Sequence, residues 1–303
     1  MAINEQYRRQ VTLLMRVLPQ VAQEECFALK GGTAINLFER NMPRLSVDID
    51  LAYLPVQPRE ESLAAISAAL KRIEENVKKS ILGAKVIEQH EDGHLVKLLV
   101  RSDDVQTKIE VTPVLRGCVY PPKVKSVSSA VEDAFGFAEI KVTSFPDLYA
   151  GKIVAALDRQ HPRDFFDVRD LLANEGISDE LRRAFIVYML SHRRPMSEVL
   201  SPTRKDISND YARAFVGMAE QDVPLDDLLA TREAIIAKIV GEMPKDHREF
   251  LVSFEEGNPK WGLLGIEGAA ELPAVRWRQQ NLDKLSKEKR AALVARLKEV
   301  LGQ

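Results

Sequence analysis

Cysteine is scarce in this chain, with two residues, Cys26 and Cys118, among 303. That is too few for a disulfide framework or a Cys/His metal centre, and both sit in apolar, strand-like surroundings that predict buried free thiols. Long apolar runs are missing as well. No stretch can span a bilayer, and the opening segment MAINEQYRRQ has no apolar leader core. A cytoplasmic protein without a membrane partner is the expectation. Net charge is also lacking: 43 Lys and Arg stand against 45 Asp and Glu, for a formal charge of -2. No global basic field advertises nucleic acid, so any such contact must come from a local basic cleft. Internal repeats and low-complexity tracts are absent. What is present is 45% hydrophobic and 29% charged, the profile of a soluble globular protein with length enough for two domains.

One stretch organises the rest: residues 29–53, LKGGTAINLFERNMPRLSVDIDLAY. Residues 46–53 alternate as a strand, with Val47, Ile49 and Leu51 on one face and Ser46, Asp48, Asp50 and Ala52 on the other. Asp48 and Asp50 thus point the same way. Carboxylates that close repel and raise one another's pKa unless a cation lies between them. A hard divalent ion with oxygen ligands relieves the repulsion, and Mg2+ usually arrives with phosphate. Upstream, residues 26–30 (CFALK) read as a short strand, Gly31 and Gly32 as a tight turn, and residues 33–40 (TAINLFER) as a helix. A glycine turn entering a helix presents unpaired N–H groups to an anion. The competing reading is an ordinary strand–turn–helix whose aspartates face water.

These residues, GGTA followed by RLSVDIDL, resemble the G-[GS]-x(n)-D-x-D signature of DNA polymerase β-like nucleotidyltransferases, and the whole stretch is most similar to the AbiEii/AbiGii toxin branch. The resemblance implies an α+β fold: a polymerase β-like nucleotidyltransferase domain with a mixed sheet, here residues 1–125, and a helical C-terminal domain, residues 126–303. It places the active site between the two, with residues 144–172 contributing. It implies that Gly31, Gly32 and Thr33 bind phosphates, with Arg44 and Ser46 beside them at the nucleotide. A third acid on a later strand completes the metal site of that superfamily.

The rest of the chain supplies the surrounding elements. Residues 7–18 predict a helix that Pro19 ends or kinks, and residues 61–79 a long amphipathic helix. Three strands follow at 84–89, 94–101 and 107–115, with turns at Gly93 and at residues 102–104; residues 120–125 read as a connector. In TKIEVTPVL, Lys108, Glu110 and Thr112 share the face opposite Ile109 and Val111. Glu110 is the candidate third metal ligand if its strand neighbours the DxD strand; otherwise it is a surface acid paired with a lysine.

The second informative block is residues 144–170, SFPDLYAGKIVAALDRQHPRDFFDVRD. Ser144 or Asp147 caps its first helix, and Lys152 lies on the flank of the apolar face, along the surface. Asp164 and Asp167 sit one turn apart on the second helix. The block resembles the third and fourth AbiEii motifs, D-x-x-x-x-K-x-x-A and R-D-x-x-D. That implies a triphosphate contact for Lys152 and a role at the nucleotide or acceptor for one of Asp164 and Asp167. The plainer reading makes Asp164 a helix cap and pairs Asp167 with Arg163 or Arg169.

From residue 176 onward the pattern is helical, with helices expected at 180–191, 208–220, 225–240, 247–255 and 286–301. Residues 258–264 and Trp277 suggest exposed aromatics, or else both tryptophans pack in the core. The resemblance implies an NTP-dependent enzyme using Mg2+ or Mn2+, a toxin of an abortive-infection or toxin–antitoxin system acting in phage defence. Its acceptor would be tRNA and its partner an antitoxin encoded nearby. A local basic patch from Arg44, Arg101, Lys108, Lys152, Arg163 and Arg169 is the expected RNA contact. Transfer to a small-molecule or protein hydroxyl, NTP binding without catalysis, and metal-dependent RNA cleavage are the rival activities.

Overall fold

A computed structural model describes residues 5–303; the first four residues of the segment MAINEQYRRQ lie outside them. The chain divides into two units. One takes the chain up to Leu148 together with Val216–Asp222, and the other takes Tyr149–Phe215 and Val223–Gln303.

The first unit is built on one mixed sheet. In chain order its elements are α1 (Glu5–Val21), β1 (Phe27–Lys30), the short α2 (Gly31–Thr33) continuing into a π-helical segment (Ala34–Glu39), β2 (Asp48–Tyr53), α3 (Arg59–Ser80), β3 (Lys85–Glu91), β4 (His94–Ser102), β5 (Val105–Arg116), β6 (Lys123–Ser126), α4 (Ser129–Phe135) and β7 (Glu139–Val142). The seven strands lie in the order β3-β4-β5-β2-β1-β7-β6. β2 runs parallel to β5 and β1 parallel to β7, while the other neighbours are antiparallel. Alternation sends every second residue to one face. There Leu29 stands beside Leu51 and Leu51 beside Val111, and Ile49 stands beside Ile109 and Ile109 beside Leu98. All of them are fully or almost fully buried. The amphipathic helices α1 and α3 pack against this sheet and against one another.

Several expectations change here. Helix α1 runs through Pro19 to Val21 instead of stopping before it. A proline inside a helix costs about 3 kcal/mol, and burial of one apolar side chain returns about 1.5–3 kcal/mol. Val11, Leu14, Val17 and Leu18 are all fully buried, so packing outweighs the lost bond. The expected connector at 120–125 ends in strand β6, which pairs with β7 on the sheet's edge, so a boundary at residue 125 would cut the sheet. The expected helix at 208–220 stops at Ala214. Gly217 takes a positive φ of 82°, and the chain then pairs with the approach to β2: Leu45 N–H donates to Met218 (2.8 Å) and Glu220 N–H to Pro43 (3.0 Å). Both cysteines are free and only half-buried, and burial pushes the Cys118 thiol up to about 12.

The second unit is helical. It takes α5 (Phe145–Asp158) from Tyr149 onward, then α6 (Pro162–Asn174), α7 (Asp179–Leu190), α8 (Met196–Leu200), α9 (Ser208–Ala214), α10 (Leu225–Ile236) with a π-helical extension (Ala237–Gly241), α11 (Lys245–Glu255), α12 (Pro273–Asp283) and α13 (Lys287–Leu301). Phe165, Phe185, Phe250 and Phe254 are fully buried in it. Trp261 packs on Phe250, with ring centres 5.1 Å apart, whereas Trp277 is half exposed. Helix α12 was not expected from the sequence. No helix among the described residues is long and apolar enough to cross a membrane.

Asp147, in the first turn of α5, ties the chain after β5 into place. Its buried carboxylate accepts from Val119 N–H (2.8 Å), Tyr120 N–H (2.9 Å) and the Ser144 hydroxyl (2.6 Å), while Ser144 Oγ caps Asp147 N–H (3.1 Å). A buried donor left without its acceptor costs about 1–3 kcal/mol. Asp147→Ala is therefore expected to lower stability by about 2–4 kcal/mol, read from the urea midpoint; a change under about 0.5 kcal/mol would remove this role.

Candidate active site

The site in the first unit begins at the glycine pair. Gly31 has a φ of +74°, and a Cβ there would lie 2.7 Å from Asp50 Oδ2. A Cβ on Gly32 would meet Arg44 Nη2 at 2.9 Å and Ser46 Oγ at 3.0 Å. Only glycine lets the backbone pass this close to the acid strand. Thr33 lies beneath the turn, where its hydroxyl donates to the Asp48 carbonyl and sits 3.0 Å from Ser46 Oγ. The turn and the DxD strand are thereby stitched together. This differs from the expectation in two ways. The Thr33 hydroxyl is committed inside the protein, and Arg44 is buried with Nη1 donating to the Leu45 carbonyl (3.0 Å). Arg44 supports the turn from within and does not line a surface patch.

Register builds the charged face. Across four strands Lys30 stands beside Asp50, Asp50 beside Glu110, and Glu110 beside Lys97. One step along β2, Asp48 stands beside Lys108. Asp48 and Asp50 do share the face opposite Ile49, and Glu110 does lie on the neighbouring strand. Lys108 Nζ is 2.7 Å from Glu110 and 3.8 Å from Asp48, and Lys97 Nζ is 3.1 Å from Glu110. Lys30 Nζ donates to Thr112 Oγ1 at 3.1 Å. Burial disfavours the Lys108 ammonium, but its bond to Glu110 and the Asp48 and Asp50 charges outweigh that and raise its pKa. Burial likewise works against the Glu110 carboxylate, and the two lysines overcome it and lower its pKa.

Among the described residues, no three His, Cys, Asp or Glu side chains gather closely enough to hold a metal ion by themselves. Mg2+ does not need such a cage, because it is commonly held by one or two carboxylates with phosphate and water completing its shell. Two half-exposed carboxylates on one strand, beside a glycine turn and already neighboured by an ammonium, are a donor set of that kind. Asp48 and Asp50 fit the ion; Glu110 is engaged by Lys97 and Lys108.

In the second unit, α5 and α6 bring Lys152, Asp164 and Asp167 together. Lys152 Nζ lies 2.9 Å from Asp164 Oδ1 and 3.0 Å from Asp167 Oδ2. Arg159 makes a two-pronged contact with Asp164, at 2.5 and 2.8 Å. Lys152 is 6% exposed, so it is buried and does not lie along the surface. Asp164 is not the helix cap either. His161 takes that place and accepts from Arg163 N–H (3.1 Å), with Pro162 following as the first helical residue. Burial and the nearby Arg163 push the His161 pKa down to about 4, which leaves the imidazole neutral and able to accept. Burial alone would raise the Asp164 pKa, but Lys152 and Arg159 hold it well below the ordinary carboxylate range. A buried ammonium held by two carboxylates is a rigid charge cluster.

Sequence reasoning did not single out Lys30, Lys97 or Arg159. Alternation in HLVKLLVRS puts Lys97 on the polar face of β4, but only strand register sets it opposite Glu110.

An α+β chain with a mixed sheet, a glycine turn and an aligned acid pair has the layout of a nucleotidyltransferase. The family model described as nucleotidyl transferase AbiEii toxin, type IV toxin–antitoxin system, matches residues 12–281, and the chain belongs to this family. Among solved structures it is similar to MenT4, the nucleotidyltransferase toxin Rv2826c from Mycobacterium tuberculosis H37Rv, with a TM-score of 0.60 and 16% identity over 96% of this chain and 92% of that one. No curated protein sequence matches. The chain is thus a nucleotidyltransferase of a type IV toxin–antitoxin family, and such a family implies an antitoxin partner.

The Asp164 carboxylate carries a pH prediction. Its native pKa lies below its unfolded value near 3.9, so its stabilisation is complete above that value and is lost on acidification through the native one. Asp164→Asn is expected to cost about 3 kcal/mol at pH 7, as breaking a buried ion pair does. The gap in urea midpoint between the wild type and Asp164→Asn should narrow below about pH 4. A gap unchanged down to the lowest measurable pH would contradict the assignment.

Proposed function

We propose that this chain transfers a nucleotidyl group from an NTP to an acceptor hydroxyl, that it needs Mg2+ or Mn2+, and that the acceptor is the 3' end of tRNA. The single observation that carries this reading is the stacking of Gly31 on Asp50, where a Cβ would fall 2.7 Å from the carboxylate. It brings the N–H groups of the turn, suited to phosphate, against the acid pair, suited to a divalent ion. When bound, that ion supplies charge neutralisation for the triphosphate.

The residues then divide the work. Asp48 and Asp50 would hold the ion and so orient the triphosphate, and Glu110, once released by Lys108, would be the third acid of the set. Gly31 and Gly32 offer backbone N–H groups to phosphate oxygens, and Thr33, Ser46 and Arg44 hold that turn in shape. Lys152 is assigned to the charge on the departing pyrophosphate, with Asp164 and Asp167 orienting it. The acceptor oxygen attacks the α-phosphorus in line, the bond to pyrophosphate breaks, and the hydroxyl proton passes to a carboxylate of the acid row. Such chemistry rests on positioning and charge more than on covalent help. Lys30, Lys97 and Lys108 around the acids support an anionic substrate despite the near-neutral chain. The resulting block of translation, cytoplasmic action, and an antitoxin encoded beside the toxin in phage defence complete this reading.

Asp48→Ala and Asp50→Ala are each expected to lower transfer by at least about a hundredfold, as removal of a key electrostatic group does, with the circular dichroism spectrum unchanged. The measurement is incubation with each of four labelled NTPs, Mg2+ and total tRNA, followed by the mass of every tRNA. Lengthened tRNA that disappears in both variants supports the proposal. Label on protein or small molecules would move the acceptor, shortened RNA would indicate cleavage, and full transfer by Asp48→Ala would overturn the site.

A further inference from the structure

We infer that Lys108 is an internal counter-ion of the acid row that competes with a divalent cation for Asp48 and Glu110, and so sets how tightly that cation is held. This rests on the proposal that Asp48 and Asp50 bind the ion.

Lys108 is placed by backbone register and not by chance: β2 and β5 pair it with Asp48, two residues from Glu110 on its own strand face. Its ammonium bridges the two acids, 2.7 Å from Glu110 and 3.8 Å from Asp48. The row holds three carboxylates, Asp48, Asp50 and Glu110, against three ammoniums, Lys30, Lys97 and Lys108. Those six charges balance, so a doubly charged ion entering beside all three lysines would find no net attraction while each ammonium stays in place. One ammonium has to withdraw. Lys97 and Lys30 reach β5 from the strands β4 and β1, Lys97 to Glu110 and Lys30 to Thr112. Lys108 stands between Asp48 and Glu110, so it is the ammonium that an ion at Asp48 would displace. Its four-carbon stem lets it swing away, and Glu110 retains Lys97 when it does. Lysine thus keeps three repelling acids aligned in the ion-free protein and yields its place on loading.

The test uses Mn2+ as the probe, with binding read from the free-ion paramagnetic resonance signal in the presence of a non-hydrolysable NTP. Lys108→Met removes the competitor and is expected to tighten Mn2+ binding roughly tenfold, while its ion-free melting temperature falls and its Mn2+-induced rise in melting temperature grows. Lys108→Arg keeps the charge and should bind Mn2+ as the wild type does. A side chain that merely packs would give no tightening. If Lys108→Met does not fold, Lys108→Gln is read in the same way. Unchanged or weaker Mn2+ binding in the folded neutral variant overturns the inference. If Asp48→Ala abolishes Mn2+ binding in that case, the metal assignment stands and only Lys108 loses its role. If Asp48→Ala binds Mn2+ like the wild type, the metal assignment itself fails.

Discussion

The parallel pairing of β2 with β5 is the constraint on which the first unit depends. It sets Asp50 beside Glu110 and Asp48 beside Lys108, and in the same stroke lines up Ile49 with Ile109 and Leu51 with Val111. A one-residue slip would send the acids into the core and the apolar side chains into water. Burial of the apolar rows therefore fixes the register, and the register fixes which charges meet. The cost of gathering three carboxylates is offset locally by Lys30, Lys97 and Lys108. The hydrophobic face and the polar face of one sheet are two consequences of a single alignment.

The glycine turn depends on that alignment in turn. Gly31 can lie against Asp50 only because the turn itself carries no side chain into the gap. Around it, Thr33, Ser46 and Arg44 form a buried polar frame: Thr33 bonds to Ser46 and to the Asp48 carbonyl, and Arg44 donates to the Leu45 carbonyl. The segment Val216–Asp222 adds a further brace, its backbone bonded to Pro43 and Leu45 just ahead of β2. A site built on rigid strands with a supported turn holds its groups in place before a substrate arrives. The second unit shows a comparable economy, since Lys152 is buried at a cost that only two carboxylates and their hydrogen bonds repay.

Much of this was legible in the residues. The alternation in SVDIDLAY and TKIEVTPVL predicts two strands with acids on one face, and both are present with Ile49, Leu51, Ile109 and Val111 buried. The helices around Lys152 and Asp164 follow from their apolar spacing and from the His161-Pro162 break. Other features were not legible because they arise between segments distant in sequence. Residues 216–222 leave the helix that their composition favours because their backbone finds partners beside Arg44. Asp164, a residue type that favours helix caps, becomes an ion-pair member once Lys152 and Arg159 face it.

Local chemistry in the chain by itself determined the strand periods, the glycine turn, the paired aspartates and the helical second half, since each rests on neighbours within a few residues. It also carried the likeness to the AbiEii family. Tertiary structure alone decided that Lys97 and Lys108 close on Glu110, that Arg44 and Lys152 are buried, and which strands stand side by side. Those outcomes depend on strand register and on burial of apolar faces, and such forces act between residues that the sequence keeps far apart.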